Sequence, residues 1–599
     1  MPIIGYLNYH CLQININDHQ AETAMQIRYL KIKNFRGIAS MEWTPRDPFC
    51  CLIGAGDSGK STILDAAEAA LNSKWFSFSE SDFFACDTSN TIEIEVTVGE
   101  LSKTLKSDAR FGLYIRGWTE AGAVRDEPED GDEPVLTVRL TVDATLEPVW
   151  EVVCDRVETP RTISNRDRAL FGLVRLAGDD ARHLAWGQGS VLSRLTGDNS
   201  EAAARLAEAY RAARDSAELD KIKSLADAAA EAERHAKALG AYVDGAYEPG
   251  LELGRSGLSS GSIALHDDGV PLRLAGLGTR RLATLGIQRS AISEGAIILI
   301  DEIEHGLEPH RIIGAISQLK SDQDVATILG DPVGQVLMTT HSDIALGETG
   351  GSGLYVVNLI RPDRQVTMLA PGKPDPINAL LRHTPRAMFS RRILVTEGMT
   401  EVGMMTGIRE KWPPRHKNKP IEQLGAAITD GNGNEACSLA LALAALGYSV
   451  ALFRDSDVAL TAANIADLAK KDVPVFEYGD MLNTEQALFT VADDNAVQAL
   501  LEYTRLQRGE DSVNDNLAAK IPGLNRANAS ISFNEWKDTF GKSGEELREI
   551  IAEVTSRKKW FKDQRIGRGL APHVWGIASE NPESPLAKTL AAVEAWLYA

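Results

Sequence analysis

The sequence lacks three features that would each mark a particular class of protein. No stretch of its 599 residues approaches the roughly 20 consecutive apolar residues of a membrane span. The first residues also lack the basic start and apolar run of a secretory signal. The six cysteines show no CxxC spacing, a pattern that fits reduced thiols. We therefore expect a cytoplasmic protein with no membrane partner.

Positive charge is scarce as well. The chain has 63 lysines and arginines against 84 aspartates and glutamates, so its formal net charge is -21 at pH 7. This balance argues against a protein that coats nucleic acid nonspecifically, and any DNA contact must be local. Two basic segments are candidates for such a contact: Arg409, Lys411, Arg415, Lys417 and Lys419, and then Arg557, Lys558, Lys559, Lys562, Arg565 and Arg568. A solvated face is an equally good interpretation of the first segment.

The length predicts two or three domains, because 599 residues are too many for one hydrophobic core. Charged residues make up 25% and hydrophobic residues 44%, which is ordinary for globular proteins. Residues 1–24 have no clear period, and we predict an extension of undefined structure there. From Met25 onward, MQIRYLKIKNFRGI has the pattern of a strand.

A glycine-rich loop lies between the apolar segment FCCLI and the helical segment ILDAAEAALN. It matches the GxxxxGK[ST] phosphate loop in its strand-loop-helix setting, which argues against a chance glycine-rich turn. Backbone N–H groups of such a loop surround the β-phosphate, the lysine reaches the β- and γ-oxygens, and the serine can hold Mg²⁺. We predict an ATP site formed by Gly54, Gly56, Gly59, Lys60, Ser61 and Thr62.

An acidic strand end in AIILIDEIEHGLEP is the expected partner of this loop. The four apolar residues Ile297–Ile300 are typical of a buried parallel strand. We expect Asp301 to bind Mg²⁺ through water and Glu302 to polarise the attacking water. An ordinary strand followed by an acidic turn is the alternative, but the phosphate loop upstream favours the catalytic interpretation.

Two further segments resemble motifs of ABC-type ATPases. LRLAGLGTRRLATLGIQ, with Gly276 and Gly278, is similar to the signature segment that contacts the γ-phosphate of the opposite subunit, although it lacks the serine of the Leu-Ser-Gly-Gly form. His341 in VLMTTHSD looks like the switch histidine of that family, while a lone histidine is more often structural. A signature segment that acts on another subunit implies a homodimer or a higher homo-oligomer.

The long separation between the phosphate loop and Asp301 indicates an insertion. Residues 91–98 and 135–142 alternate as antiparallel strands do. Residues 200–240 are rich in Ala, Glu, Arg and Lys with apolar residues at helical spacing. We predict a helical insertion at about 196–245 that serves dimerisation, with a self-contained surface bundle as the alternative.

From about residue 390 the pattern becomes an alternation of strands and helices, which predicts a parallel sheet covered by helices. Functional residues of such a sheet lie at the carboxyl ends of its strands, and four carboxylates fall there: Glu397, Glu401, Asp455 and Asp457. Clustered carboxylates repel one another unless a cation neutralises them, so we predict an Mg²⁺ or Mn²⁺ site. A set of solvated acidic loop residues is the alternative.

This constellation resembles the TOPRIM domain, and an ABC-type ATPase followed by TOPRIM resembles the OLD (overcoming lysogenization defect) family of ATP-dependent endonucleases, which includes the Gabija nuclease subunit. The resemblance implies an α/β fold, with an ABC-type P-loop ATPase domain at 25–388 and a TOPRIM domain with a C-terminal helical region at 389–599. It also implies that Glu485 is a further metal ligand, that Asn483 is the small polar residue before it, and that Lys562, rather than Lys558 or Lys559, completes the site.

The expected function is an ATP-regulated, divalent-metal-dependent DNA endonuclease of phage defence or DNA processing. Two ions would activate a water and stabilise the leaving oxygen, with a lysine supplementing them. An ATP-switched DNA-binding clamp or scaffold whose partner performs the chemistry is the alternative, and an RNA-directed nuclease is a third reading. The sequence leaves open whether a helicase or another defence protein is a partner.

Overall fold

The computed structural model describes residues 25–72, 76–176, 212, 216–252, 262–271, 274–283, 285, 296–329, 334–529 and 531–599. They belong to two compact units, Met1–Cys50 with Ser61–Met338 and Cys51–Lys60 with Thr339–Ala599. The predicted extension at 1–24 lies outside the described residues, and so does much of the predicted helical insertion. None of the described helices has the length and apolar character needed to cross a bilayer.

In chain order the strands up to the end of the first unit are β1 (Gln26–Phe35), β2 (Ile38–Trp43), β3 (Phe49–Ile53), β4 (Ile92–Gly99), β5 (Arg116–Trp118), β6 (Val124–Arg125), β7 (Glu133–Val142), β8 (Pro148–Val153), β9 (Arg161–Thr162), β10 (Leu173–Leu176), β11 (Tyr247–Glu252), β12 (Ser262–Asp267), β13 (Val270–Pro271), β14 (Ile297–Ile300) and β15 (Gln335–Thr339). The helices are α1 (Lys60–Leu71), α2 (Lys103–Lys106), α3 (Asn165–Ala169), α4 (Lys223–Ala238) and α5 (Pro309–Leu329).

An antiparallel layer forms part of the first unit. Strand β1 pairs with β2 and β4, and β4 pairs with β7. The alternation of buried and half-buried side chains along β1 and β4 matches strands with one face on the core. The predicted antiparallel strands at 91–98 and 135–142 are therefore confirmed as the paired strands β4 and β7.

Strands β10, β14 and β15 form the parallel part of the first unit, with β14 in the middle. Every residue of β14 is buried, as its continuous apolar run predicts. Asp301 follows β14 directly and so lies at the carboxyl edge of these strands. Helix α4 lies within the range of the predicted helical insertion.

The second unit contains β16 (Leu354–Ile360), β17 (Gln365–Leu369), β18 (Arg392–Thr396), β19 (Ala426–Asp430), β20 (Ser449–Phe453) and β21 (Val475–Phe476). Strand β16 runs parallel to residues 51–53 of β3 and antiparallel to β17. The other four strands form a parallel sheet in the order β19-β18-β20-β21. This sheet confirms the strand-helix alternation predicted from residue 390 onward.

The helices of the second unit are α6 (Asp343–Thr349), α7 (Pro374–His383), α8 (Met399–Ile408), α9 (Ala436–Ala445), α10 (Ala462–Lys470), α11 (Thr484–Val491), α12 (Asp494–Arg508), α13 (Glu510–Ala518), α14 (Phe533–Phe540), α15 (Gly544–Arg557), α16 (Gln564–Glu580) and α17 (Pro585–Tyr598). The run from α12 to α17 is the predicted C-terminal helical region. Its apolar side chains share one core with β18, β19, β20 and α8.

Helices α8 and α16 approach each other unusually closely, and glycines allow it. A Cβ on Gly403 would lie 2.1 Å from the carbonyl oxygen of Gln564, and one on Gly567 would lie 2.4 Å from that of Thr400. The hydroxyl of Thr400 also donates to the carbonyl oxygen of Phe561 at 3.1 Å. These contacts fix the first turn of α8 against the segment that leads into α16.

Candidate functional site

Ser61 and Asp301, the two side chains of the ATPase motifs that are predicted to bind Mg²⁺, lie together in the first unit. The hydroxyl of Ser61, in the first turn of α1, donates to Oδ1 of Asp301 at 3.0 Å. Arg175 on β10 donates to Oδ2 of Asp301 at 3.1 Å and to Asp65 of α1 at 2.8 Å. Its side chain is only 5% exposed. The serine and the aspartate are thus in direct contact, and Arg175 holds the aspartate.

The phosphate loop has the backbone that its glycines predict. Gly54 has φ +153°, and a Cβ there would lie 2.4 Å from the carbonyl oxygen of Val357, so no other residue fits. Gly59 has φ +97°. The buried ammonium of Lys60 donates to the carbonyl oxygens of Gly54 and Ala55, both at 3.1 Å. The lysine therefore folds back over its own loop.

The remaining residues predicted for the ATPase site are Glu302, Gly278 and His341. Glu302 follows Asp301 with an exposed side chain and φ +47°. Gly278 lies at the start of a helical turn where a Cβ would be 2.8 Å from the carbonyl oxygen of Gly306. In the second unit, the exposed His341 follows β15, and its ring stacks on Phe389 with centroids 6.4 Å apart.

The carboxylates predicted in the second unit meet at the carboxyl edge of the parallel sheet. Glu397 follows β18, Asp455 follows β20, and the backbone N–H of Asp455 donates to Oε2 of Glu397 at 3.1 Å. Glu401 in the first turn of α8 is 5% exposed, and Asp455 is 9% exposed. Asp457 is exposed, two residues beyond Asp455. The parallel arrangement of β18 and β20 is what brings residues more than fifty positions apart to one edge.

Thr484 lies between two of these carboxylates, although no motif in the sequence predicts a role for it. Its Oγ1 lies 3.0 Å from Oε1 of Glu401 and 2.8 Å from Oδ1 of Asp455. A hydroxyl carries one proton and can donate to one of the two carboxylates at a time. The second contact is favourable only if that carboxyl group is itself protonated. The pair therefore favours a shared proton when no cation is bound.

Burial and mutual repulsion raise the pKa values of the buried carboxyl groups. Burial raises the pKa of Glu401 to about 7, with Glu485 adding to the rise and Lys562 opposing it. Burial raises the pKa of Asp455 to about 8, and the charge of Glu401 adds to the rise. Burial also raises the pKa of Glu485, again opposed by Lys562. These groups interact closely enough to titrate together.

Glu485 and Lys562 are brought to this edge by neighbouring helices. Glu485 lies in the first turn of α11, where the side chain of Asn483 caps the helix by accepting the N–H of Gln486 at 2.9 Å. Lys562 lies just before α16 and has an exposed side chain. Three successive residues thus have different contacts: Asn483 caps α11, Thr484 contacts two carboxyl groups, and Glu485 supplies a further carboxylate.

The donor set is all oxygen, which suits Mg²⁺ or Mn²⁺. Among the described residues, no ion pair involves Glu401, Asp455, Asp457 or Glu485. No described arginine or lysine therefore occupies the position that a metal ion would take between them. Arg454 lies 3.9 Å from Glu397 and pairs more closely with Glu477, at 3.2 Å. In the part of the chain that is described, however, no three His, Cys, Asp or Glu side chains already form a metal-binding group. The side chains would have to close around an ion.

In both basic segments, part of the positive charge is paired with carboxylates. In the first, Arg409 pairs with Glu422, and Arg415 pairs with Glu594 at 3.4 Å. In the second, Arg568 pairs with Glu410 at 2.6 Å and Arg557 with Glu553 at 3.4 Å. Partly neutralised arginines leave less charge for a nucleic-acid backbone.

Two family models match parts of the chain. Residues 25–113 match the family described as "AAA ATPase domain", and residues 189–347 match "AAA domain, putative AbiEii toxin, Type IV TA system". No curated protein matches this sequence.

Solved structures also resemble part of the chain. An Smc head bound to the C-winged helix domain of ScpA is 16% identical, with a TM-score of 0.35, over 58% of this chain and 98% of that one. The SMC head domain from Thermotoga maritima is 15% identical, with a TM-score of 0.29, over 58% and 98%. The recombination mediator RecF with ATP is 13% identical, with a TM-score of 0.33, over 59% and 100%.

The ranges matched by the two family models contain the phosphate loop, Gly278, Asp301, Glu302 and His341. Two parts of the chain are therefore similar to AAA ATPase domains, and these parts carry the phosphate loop and the acidic strand end expected to bind ATP and Mg²⁺.

Proposed function

We propose that the protein is an ATP-regulated, divalent-metal-dependent DNA endonuclease whose second unit is a TOPRIM-type nuclease. The observation that carries this proposal is the meeting of Glu397, Glu401 and Asp455 at the carboxyl edge of one parallel sheet. Glu401 and Asp455 are buried, and no lysine or arginine among the described residues forms an ion pair with either of them. Such carboxylates are costly to keep together unless a bound cation neutralises them. The order of ATPase and acidic sheet is that of the OLD family.

Each residue of the site has a role in this proposal. Glu397, Glu401, Asp455, Asp457 and Glu485 would hold the ions, which supply a metal-activated water and charge stabilisation of the leaving oxygen. Thr484 orients Glu401 and Asp455 through its hydroxyl, and Asn483 holds the helix that carries Glu485.

Lys562 supplies the remaining positive charge. Its side chain is exposed, so its ammonium would be accessible to a phosphate of the substrate. Its electrostatic effect on Glu401 and Glu485 supports its selection over Lys558 and Lys559.

A cleavage assay on supercoiled plasmid with Mg²⁺ or Mn²⁺ tests the proposal. We expect Glu401→Gln and Asp455→Asn each to lower the cleavage rate about 100-fold or more, because each removes a metal ligand. Asp467→Asn, which alters an exposed carboxylate on α10, is the matched control and should cleave at the wild-type rate. Wild-type rates in both site variants would defeat the assignment.

One observation favours a second candidate function. Because the described carboxylates do not form a ready-made metal group, an ATP-switched DNA clamp whose partner cuts the nucleic acid is the competing proposal. Purified wild-type protein, free of any partner, separates the two. Metal-dependent cleavage of DNA by this protein alone supports the nuclease, whereas DNA binding without cleavage under any nucleotide and metal condition supports the clamp. RNA in a parallel reaction tests the choice of nucleic acid.

A further inference from the structure

A cavity of about 380 Å³ lies against the phosphate loop, within the second unit. Residues 54–58 of the loop form one wall, and residues 356–359 of β16 with Arg361 form another. The remaining wall consists of two turns, residues 390–391 and residues 446–448. The volume is typical of small-molecule sites, which are on the order of 300–1,000 Å³.

The two turns precede the two strands that lead to the acidic residues. Ser390 and Arg391 come directly before β18, and β18 leads to Glu397. Tyr448 comes directly before β20, and β20 leads to Asp455. Each strand has five residues and so spans roughly 16 Å. The cavity therefore lies at the amino edge of the same strands that carry the carboxylates at their other edge.

The residues that line the cavity carry a net positive charge, as expected of an anion site. Arg361 and Arg391 are exposed, and neither guanidinium has an ion-pair or hydrogen-bond partner among the described residues. A phosphate loop adds backbone N–H donors. Asp57 is the carboxylate in the lining, and it is exposed on the loop itself. Two arginines without partners beside a phosphate loop are suited to a nucleoside polyphosphate.

Hydrogen bonds and close packing hold these walls to the sheet. The Tyr448 hydroxyl donates to the carbonyl oxygen of Met388 at 2.6 Å, and the N–H of Ser449 donates to that of Arg391 at 3.1 Å. A Cβ on Gly447, which has φ +83°, would lie 2.8 Å from Nδ2 of Asn358. The backbone of Arg391 is therefore hydrogen-bonded to the first residue of β20 and leads directly into β18.

We propose that Arg391, together with Arg361, contacts a nucleoside triphosphate bound at the phosphate loop and transmits its presence through β18 and β20 to the carboxylates. The contact itself requires only the ATPase. The regulatory consequence rests on the proposed function, because it takes the acidic edge as the regulated site. The ring of His341, the predicted switch histidine, also stacks on Phe389, which lies next to this segment.

Calorimetric titration of the full-length protein with ATPγS and Mg²⁺ tests the contact. We expect Arg391→Ala to weaken binding about tenfold or more, since a charged hydrogen bond to phosphate is lost, and Arg391→Lys to weaken it less. Lys470→Ala, which removes an exposed charge from α10, is the control and should bind as the wild type does. Wild-type affinity in Arg391→Ala overturns the proposal. Arg361→Ala, on the opposite wall, is the second variant should Arg391→Ala fail to fold.

Hydrogen-deuterium exchange tests the transmission. In the wild type, saturating ATPγS should slow exchange in residues 392–401 and 449–457. In Arg391→Ala at saturating nucleotide this protection should be lost, and its persistence overturns the coupling. Neither readout depends on DNA cleavage, so a wild type that does not cut DNA counts against the nuclease alone. If a single-stranded oligonucleotide, and not ATPγS, binds in an Arg391-dependent way, the nucleotide assignment is wrong.

Discussion

Burial and the hydroxyl of Thr484 act together on the protonation of the acidic site: burial raises the pKa of Glu401 and of Asp455, and a hydrogen bond from Thr484 opposes that rise. The hydroxyl contacts Glu401 and Asp455 at once, with a single proton to give. The arrangement is satisfied when one of the two carboxyl groups is protonated or when a cation draws both carboxylates away from the hydroxyl. Binding of a divalent ion must therefore release protons, and the metal affinity should rise with pH until both groups are ionised.

The stability of the metal-free protein should fall as pH rises. The pKa of Glu401 is raised to about 7 and that of Asp455 to about 8, against ordinary values of 4.5 and 3.8. Between those limits the folded state keeps protons that the unfolded chain has released, so the free energy of unfolding decreases with pH. The stability that the two protonated carboxyl groups contribute is fully present below their ordinary pKa values and is lost above about pH 8. Thermal unfolding in EDTA at about pH 6 and about pH 9 measures the difference.

Asp455→Asn is the control for this pH dependence. The amide cannot ionise, so the variant should be more stable than the wild type at about pH 9 without metal, by roughly 1–3 kcal/mol. Mn²⁺ at that pH should stabilise the wild type and leave the variant unchanged. A wild type that becomes more stable between about pH 6 and about pH 9 in EDTA contradicts the shared-proton account.

At the scale of elements, the close approach of α8 and α16 positions Glu401. A Cβ on Gly403 would lie 2.1 Å from a backbone oxygen and 2.8 Å from a backbone nitrogen of α16. We therefore expect Gly403→Ala to separate the helices and destabilise the protein by roughly 1–3 kcal/mol or more. Urea unfolding of the metal-free protein measures this change.

Gly576, in the interior of α16, is the matched control. A Cβ there would meet nothing within 4 Å. Gly576→Ala should stabilise the protein by about 0.5–1 kcal/mol, because alanine loses less backbone entropy in a helix. Effects of equal sign at Gly403 and Gly576 would mean that the close approach does not hold the two helices together.

The elements of the second unit were predictable, and their mutual packing was not. Hydrophobic periodicity is local, so β18, α8, β19, α9 and β20 follow from the sequence, and the carboxyl-edge rule then brings Glu397 and Asp455 together. The contact of Gly403 with α16 joins residues about 160 positions apart, and nothing in MTEVGMMTGI names its partner. Thr484 was missed for the same reason, since its role exists only once α11 lies beside α8.

In the first unit too, local motifs are predictable from the sequence and contacts between distant residues are not. The phosphate loop and the acidic strand end each have a local pattern, and the 3.0 Å contact of Ser61 with Asp301 agrees with both. Arg175 carries no motif, because its importance comes from the pairing of β10 with β14. Residues that act through a neighbouring strand are therefore found from the structure, whereas residues in a loop of fixed spacing are found from the sequence.

At the scale of the whole molecule, the proposed function assigns two chemistries to different carboxylates of one acidic chain. Glu302 lies next to Asp301, just after β14, and Asp455 lies just after β20 of the parallel sheet. If the two sites carry separate chemistries, each activity should be retained when the other site is disabled. We therefore expect Glu302→Gln to lower ATP hydrolysis about 100-fold or more, since the water loses its polarising group, while cleavage measured without nucleotide keeps the wild-type rate.

The reciprocal variant completes the test. Asp455→Asn should hydrolyse ATP at the wild-type rate and fail to cut DNA, as measured by phosphate release and plasmid cleavage on the same preparation. Glu304→Gln, two residues beyond Glu302 in the same turn, is the control for a lost charge and should keep both activities. If Glu302→Gln and Asp455→Asn each lose both activities, the two sites are one cooperative unit and ATP turnover drives the cut. If cleavage persists in Asp455→Asn, the acidic edge of the sheet is not where DNA is hydrolysed.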